Sequence, residues 1–215
     1  MGFTIGGIRE MRSGTRRRGR AAGATEVAEY TGLWGWAVAP GTRASAGACS
    51  CGDPACAAPG AHPLDFAREV PPGATYATAA DAWAEVPGAS MLLPVGRTFD
   101  VLDVAEAAGR RALVRMERLG LRLGPVAVTP AGRTQFFVAP GAAAGLPGLL
   151  YRMGWDDADL DLRALGPGAF VTAPPSDLGG LGPVRWLRPP VPDTAAAPPQ
   201  ARLLLGTLAY ICHRW

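Results

Sequence analysis

The chain has 215 residues, 48% of them hydrophobic and 18% charged, and a formal net charge of +3. That is enough for one large domain or two small ones with a real core, and it excludes a chain that is disordered throughout. No apolar run of about 18 residues occurs and no apolar h-region follows the N-terminal arginines, so neither a bilayer span nor a secretory signal is expected. A cytoplasmic location with reduced cysteines follows.

The charge is unevenly placed. Arg9, Arg12, Arg16, Arg17, Arg18 and Arg20 stand against the single acid Glu10 in residues 1–24, which leaves the body slightly negative. This basic segment reads as a disordered, solvated tail able to touch phosphate or an acidic membrane surface. Every basic side chain apart from histidine is arginine, and lysine and asparagine are absent. That bias fits a GC-rich coding sequence, so arginine alone is weak evidence for guanidinium-specific chemistry.

After the tail, "TEVAEYTGLWGW" (Thr25–Trp36) predicts a helix capped by Thr25. "WAVAP" (Trp36–Pro40) predicts a short strand ended by proline. "TYATAADAWAEVP" (Thr75–Pro87) predicts a helix with Trp83 inward, followed by buried strands at Ser90–Gly96 and Thr98–Val104. The stretch Ala105–Gly120 carries Leu113, Met116 and Leu119 at three-residue steps, which predicts a helix stopped by Gly120. "VAVTP", "TQFFVAP" and "GAFVTAPPS" predict strands with antiparallel hairpins after Gly124, and "PGLLYRMG" a short helix. Arg185–Gln200 reads as a proline-rich connector and "ARLLLGTLAYICHRW" as a closing helix. The expected divisions are therefore 1–24, 25–190 and 191–215, with no internal repeat. Trp34, Trp36 and Trp186, in short apolar segments, are expected in the core.

Between the first strand and the Thr75 helix lies "ACSCGDPACAAPGAHPLD". Cys49, Cys51, Cys56 and His62 are three thiolates and one imidazole, a full tetrahedral set for zinc. Gly52, Pro54, Pro59 and Gly60 supply the turns that let a short loop close round one ion. Four protein ligands leave no open position, so the ion would be structural. The other reading is reduced cysteines in a flexible loop. Cys212 and His213 offer a substitute ligand or simply occupy a helix surface.

The order of a Trp-rich opening, a Cys/His loop ending in "PGAHP", "PVGRTFDVLDV", "TPAGRTQFFV" and "DLRALGPGAFVTAPPSDLGGLGPVRWL" resembles the N-terminal domain of bifunctional DNA primase/polymerases. These belong to the archaeo-eukaryotic primase superfamily, and the likeness, to the actinobacterial variants above all, covers about residues 28–190. It implies a mixed α/β (α+β) fold of two modules, the first carrying the zinc loop and the second an antiparallel or mixed sheet that completes a cleft. It also implies an acid pair at a strand end, a third acid and a histidine. The acids hold two divalent cations, Mg²⁺ or Mn²⁺, that join a 3′-hydroxyl to a nucleoside triphosphate on a DNA template.

Carried onto this chain, Asp103 matches the first acid, Asp161 the third and Arg163 the arginine two residues on. The second acid is Ala105, with Glu106 next to it. Thr134 or Gln135 stands where the histidine is expected. Arg97, Arg133, Arg152 and Arg185 are candidate channel-lining cations, and Arg97, Arg133, Thr134 and Arg163 the nucleotide or nucleic-acid contacts. The expectation is a domain that binds nucleic acid or nucleotide with impaired or lost nucleotidyl transfer. The alternatives are an active nucleotidyltransferase using Glu106, and a zinc-stabilised interaction module with no nucleic-acid role. Family members often carry a helicase after this domain, so a separate helicase or replication partner is expected.

Overall fold

The computed structural model describes residues 23–45 and 48–214. In chain order its elements are α1 (residues 23–28, widening into a π-helical turn at Glu29–Leu33), β1 (Ala39–Gly41), β2 (Ala44–Ser45), β3 (Ala48–Cys49), α2 (Tyr76–Glu85), β4 (Ser90–Pro94) and β5 (Asp100–Ala105). They continue with α3 (Glu106–Arg118), β6 (Val126–Thr129), β7 (Arg133–Val138), α4 (Ala142–Arg152), β8 (Leu162–Leu165), β9 (Phe170–Thr172), β10 (Arg185–Arg188), α5 (Pro192–Ala196) and α6 (Ala201–His213). The tail expected at 1–24 lies outside the described residues except for Gly23 and Ala24, which are already helical, so Thr25 sits inside α1 and not at its cap.

The fold is mixed α+β, and its strands pair antiparallel throughout the described sheets. A three-stranded sheet has the order β1-β4-β9 and a five-stranded sheet the order β10-β6-β7-β5-β8. Pro40 lies within β1, opposite Met91, and does not end it. The segment after the Cys/His loop runs back along β1. Leu64 donates its N–H to the Pro40 carbonyl at 2.9 Å, and Val38 and Val70 exchange two backbone hydrogen bonds at 2.8 and 3.0 Å.

Side chains alternate across a strand, so the five-stranded sheet feeds two cores. Leu102 and Val104 of β5 and Phe136 and Val138 of β7 face α3 and α6, where Ala112, Met116, Leu204 and Leu208 are fully buried. Val101 and Phe137 face the other way, toward the small sheet, α1 and α2. There Trp36 stacks on Phe137 with ring centroids 5.5 Å apart and packs against Phe99 and Trp186, as the tryptophan-rich pattern led us to expect. The indole N–H of Trp36 donates to the Ala195 carbonyl at 3.2 Å, and the Tyr30 hydroxyl to that of Pro174 at 2.6 Å. Both aromatics thus bury a large apolar body with the polar tip satisfied.

Gly109, an apparent flaw in a helix, is where α3 crosses β7: a Cβ there would lie 2.4 Å from the Thr134 Cβ. The short helix expected at "PGLLYRMG" begins earlier, at Ala142. Its start is fixed from outside, because buried Asp100 of β5 accepts the Ala143 N–H at 2.9 Å. The connector expected at Arg185–Gln200 contains both β10 and α5, and α6 beyond it supplies Leu204, Leu205 and Leu208 to the interior. No described helix is long and apolar enough to cross a membrane.

Candidate active site and metal centre

The metal loop is built from turns. Ala44 pairs with Cys49 in the small β2–β3 hairpin, and Gly52 at φ 82° donates its N–H to the Cys49 carbonyl at 3.2 Å. Asp53 accepts the Ala55 N–H at 2.8 Å and turns the chain toward Cys56. Gly60, at φ 70°, has no room for a Cβ, which would meet the Ala44 nitrogen at 2.9 Å. The loop is then tied to the sheet, since Thr42 donates its N–H to the His62 carbonyl at 2.9 Å and the Ser90 hydroxyl donates to the Thr42 carbonyl at 2.7 Å.

These constraints bring the donor atoms of Cys49, Cys51, Cys56 and His62 within 4.8 Å of one another, close enough to hold a metal ion. Zinc bound at about 2.3 Å to sulfur sets tetrahedral ligands about 3.8 Å apart, so a small contraction completes the shell. His62 Nδ1 donates to the Pro63 carbonyl at 3.1 Å, which leaves Nε2, 3.5 Å from Cys49 Sγ, as the free lone pair. Burial raises the Cys49 thiol, but the backbone N–H groups of Cys51 and Gly60 and the side chains of Thr42 and Cys51 outweigh it and hold Cys49 down at about 5. Its thiolate is ready for a cation. Cys56 goes the other way: the Ala58 N–H favours its thiolate, but burial and the Cys49 and Cys51 sulfurs together raise it. A bound ion would relieve that repulsion between sulfurs. Cys212 and His213 stand elsewhere, with Cys212 against the second core and His213 edge-on to Trp155.

The carboxylates meet on the five-stranded sheet. Asp103 of β5 is paired across one side with Gln135 of β7 and across the other with Arg163 of β8. Equal parity places all three on the face that looks toward the small sheet, and Arg133, two residues before Gln135, shares it. Asp103 Oδ1 accepts from Arg133 Nε at 2.7 Å and from Arg163 Nε at 3.0 Å, while Oδ2 accepts from Gln135 Nε2 at 3.2 Å. Arg133 Nη1 reaches Asp161 Oδ2 at 2.6 Å, so one guanidinium bridges the two acids. The Asp103 side chain is 1% exposed and that of Asp161 58%.

Arg133, by hydrogen bond and charge, holds Asp161 below its ordinary carboxylate value despite some desolvation, with Arg163 adding to the effect. The shifted group is depressed in the folded state, so its stabilisation is fully present above the unfolded pKa of about 3.9 and is lost as pH falls through the lower folded value. Asp161→Asn should therefore flatten the fall of stability below about pH 4, read by urea denaturation across the acid range. An unchanged profile would refute that contribution.

The family model for the bifunctional DNA primase/polymerase N-terminal domain matches residues 27–201. The chain belongs to that family. No curated protein and no solved structure matches it. In this primase/polymerase-family domain the register settles which of Thr134 and Gln135 reaches the acids. Gln135 does. Thr134 faces the other way, fully buried beneath α3, with its hydroxyl on the Glu106 carbonyl at 3.4 Å.

Glu106 opens α3 and pairs with Arg110 at 2.7 Å, and no hydrogen bond or ion pair among the described residues joins its side chain to Asp103 or Asp161. Arg97, expected at the nucleotide site, lies in the turn before β5, which the Gly96 N–H closes on the Phe99 carbonyl at 2.7 Å, and pairs with Glu69. Arg185 lies on the far edge strand β10, three strand spacings or about 14 Å from β5, and Arg152 ends α4. The "APPS" stretch serves the frame: Pro174 takes the Tyr30 hydroxyl, and Ser176 Oγ accepts the Met91 N–H at 2.8 Å.

The pair of divalent cations implied by the resemblance does not fit these residues. Asp103 offers oxygens already taken by three donors, and Asp161 shares its donor with Asp103. Mg²⁺ and Mn²⁺ need carboxylate oxygens free to coordinate them. Sequence reasoning found Asp103, Asp161, Arg133 and Arg163 but not that the arginines engage the acids themselves. Nothing in the local sequence states the register that makes them neighbours.

Proposed function

We propose that this domain binds nucleic acid or nucleotide on its Asp103 face, with nucleotidyl transfer impaired or lost. The observation that carries the reading is the Arg133 guanidinium set between Asp103 and Asp161. Together with Arg163 it balances the two carboxylates charge for charge, so the acids repel phosphate less. It supplies no Lewis acid to activate a hydroxyl.

Arg163 is the best-placed phosphate contact. Its side chain is 64% exposed, and only its Nε is used on Asp103, so the terminal fork is available to a phosphate oxygen. The Cys/His loop, holding zinc in a reducing, cytoplasmic setting, acts as a structural brace.

Primer extension with Mg²⁺ or Mn²⁺, beside equilibrium binding of DNA across a salt series, tests the reading. We expect no incorporation, and binding that weakens with salt and weakens further in Arg163→Ala. Incorporation abolished by Asp103→Ala would replace the proposal with an active nucleotidyltransferase. A salt slope near zero would replace it with an interaction module that takes no phosphate backbone.

A further inference from the structure

The face of the five-stranded sheet opposite Asp103 is covered by α3 and α6, and their outer surfaces form a groove of about 610 Å³. Arg111, Arg115 and Arg118 of α3 line one side, and Tyr210 and Arg214 the other. Arg115 and Arg214 both lie over the Tyr210 ring, with guanidinium carbons 5.3 and 4.8 Å from its centroid. The two acids of α3 have other partners: Glu106 pairs with Arg110, and Glu117 with Arg188 at 3.9 Å. Among the described residues Arg115, Arg118 and Arg214 form no salt bridge.

Two cations gathered on one aromatic ring, with a third close by, repel one another. Solvent screens that repulsion, and a bound polyanion would turn it into attraction. From Arg111 to Arg118 the helix rises about 10 Å at 1.5 Å per residue. A nucleic-acid strand repeats a fixed charge about every 3.4 Å along the duplex axis, so a ladder of this length faces about three successive phosphates. An acidic peptide has no such obligatory spacing.

We propose that the α3–α6 groove is a second nucleic-acid contact, taking a phosphodiester backbone on the side of the sheet away from Asp103. The proposal rests on the nucleic-acid reading above but assigns the contact to a different surface, so the two fail separately.

The test is fluorescence anisotropy with a labelled single-stranded oligonucleotide and its duplex between about 50 and 200 mM salt. It uses the wild type, Arg118→Glu, and the triple variant Arg115→Ala/Arg118→Ala/Arg214→Ala. Arg118 is exposed and contacts neither core, so its variant stays informative even if the triple variant folds poorly; thermal melts check both. We expect the triple variant to bind more than about tenfold more weakly and to lower the slope of log affinity against log salt by about 2, three contacts at about 0.7 each. Arg118→Glu should weaken binding in the same direction.

Unchanged affinity and slope in both variants, with Arg163→Ala alone weakening binding, would overturn the groove and leave the Asp103 face standing. Competition by polyglutamate as effective, charge for charge, as unlabelled strand would overturn it in favour of an acidic protein partner. No binding of either oligonucleotide by the wild type would overturn both readings.

Discussion

Arg133→Ala is expected to lower stability by about 3 kcal/mol, because it takes the shortest hydrogen bond from a carboxylate that is almost wholly buried. The value belongs at the low end for a broken buried pair, since Arg163 and Gln135 still reach Asp103. Asp103→Asn in the same chain should recover much of the loss, and a double-mutant cycle by urea denaturation should show coupling of about 1–3 kcal/mol. Additive single effects would mean that the guanidinium is not what compensates Asp103. The same variant tests why divalent cations do not fit here. With Arg133 gone, Asp161 is released and Asp103 keeps two of its three side-chain donors, so Mn²⁺ should raise the melting temperature of the variant but not of the wild type. Equal stabilisation of both would show that the arginine does not exclude the cation.

Loss of the metal should have an effect of similar size. Structural zinc in isolated fingers contributes roughly 10–16 kcal/mol, because the unliganded peptide has no fold. Here the β2–β3 hairpin and the Thr42 and Ser90 hydrogen bonds already hold part of the loop, so a smaller share, about 4 kcal/mol, is expected. For a chain of this length that corresponds to a fall in melting temperature of about 8–16 °C on chelation under reducing conditions. Cys56→Ser should show the same fall without chelator. Less than about half an equivalent of zinc in the purified protein, together with an unaltered Cys56→Ser melt, would remove the site.

The parts legible in the sequence are those whose signal is local. Apolar periodicity placed α3 and α6, and the turn residues placed the Cys/His loop with the four donors that the structure brings together. What escaped is non-local. The strand β8 has a mixed pattern because its Arg163 is spent on Asp103, and it did not read as a strand at all. The start of α4 depends on Asp100, 43 residues away in sequence. Thr134 and Gln135 are adjacent and chemically alike as candidates, and only strand parity separates them. Gly109, in the middle of a helical pattern, marks a place where helix and sheet come too close for a side chain. Motif order carried the family, while pairing register decided what became of its acids.

The stretch that returns along β1 after His62 would also give a bound ion a second role. Without that cover the outermost strand of the small sheet would offer unpaired N–H and C=O groups, a template on which another molecule could add a strand. Metal-depleted protein should therefore fail by self-association that depends on its concentration before it fails by unfolding. A bound ion would then act on assembly as well as on folding, by guarding a border.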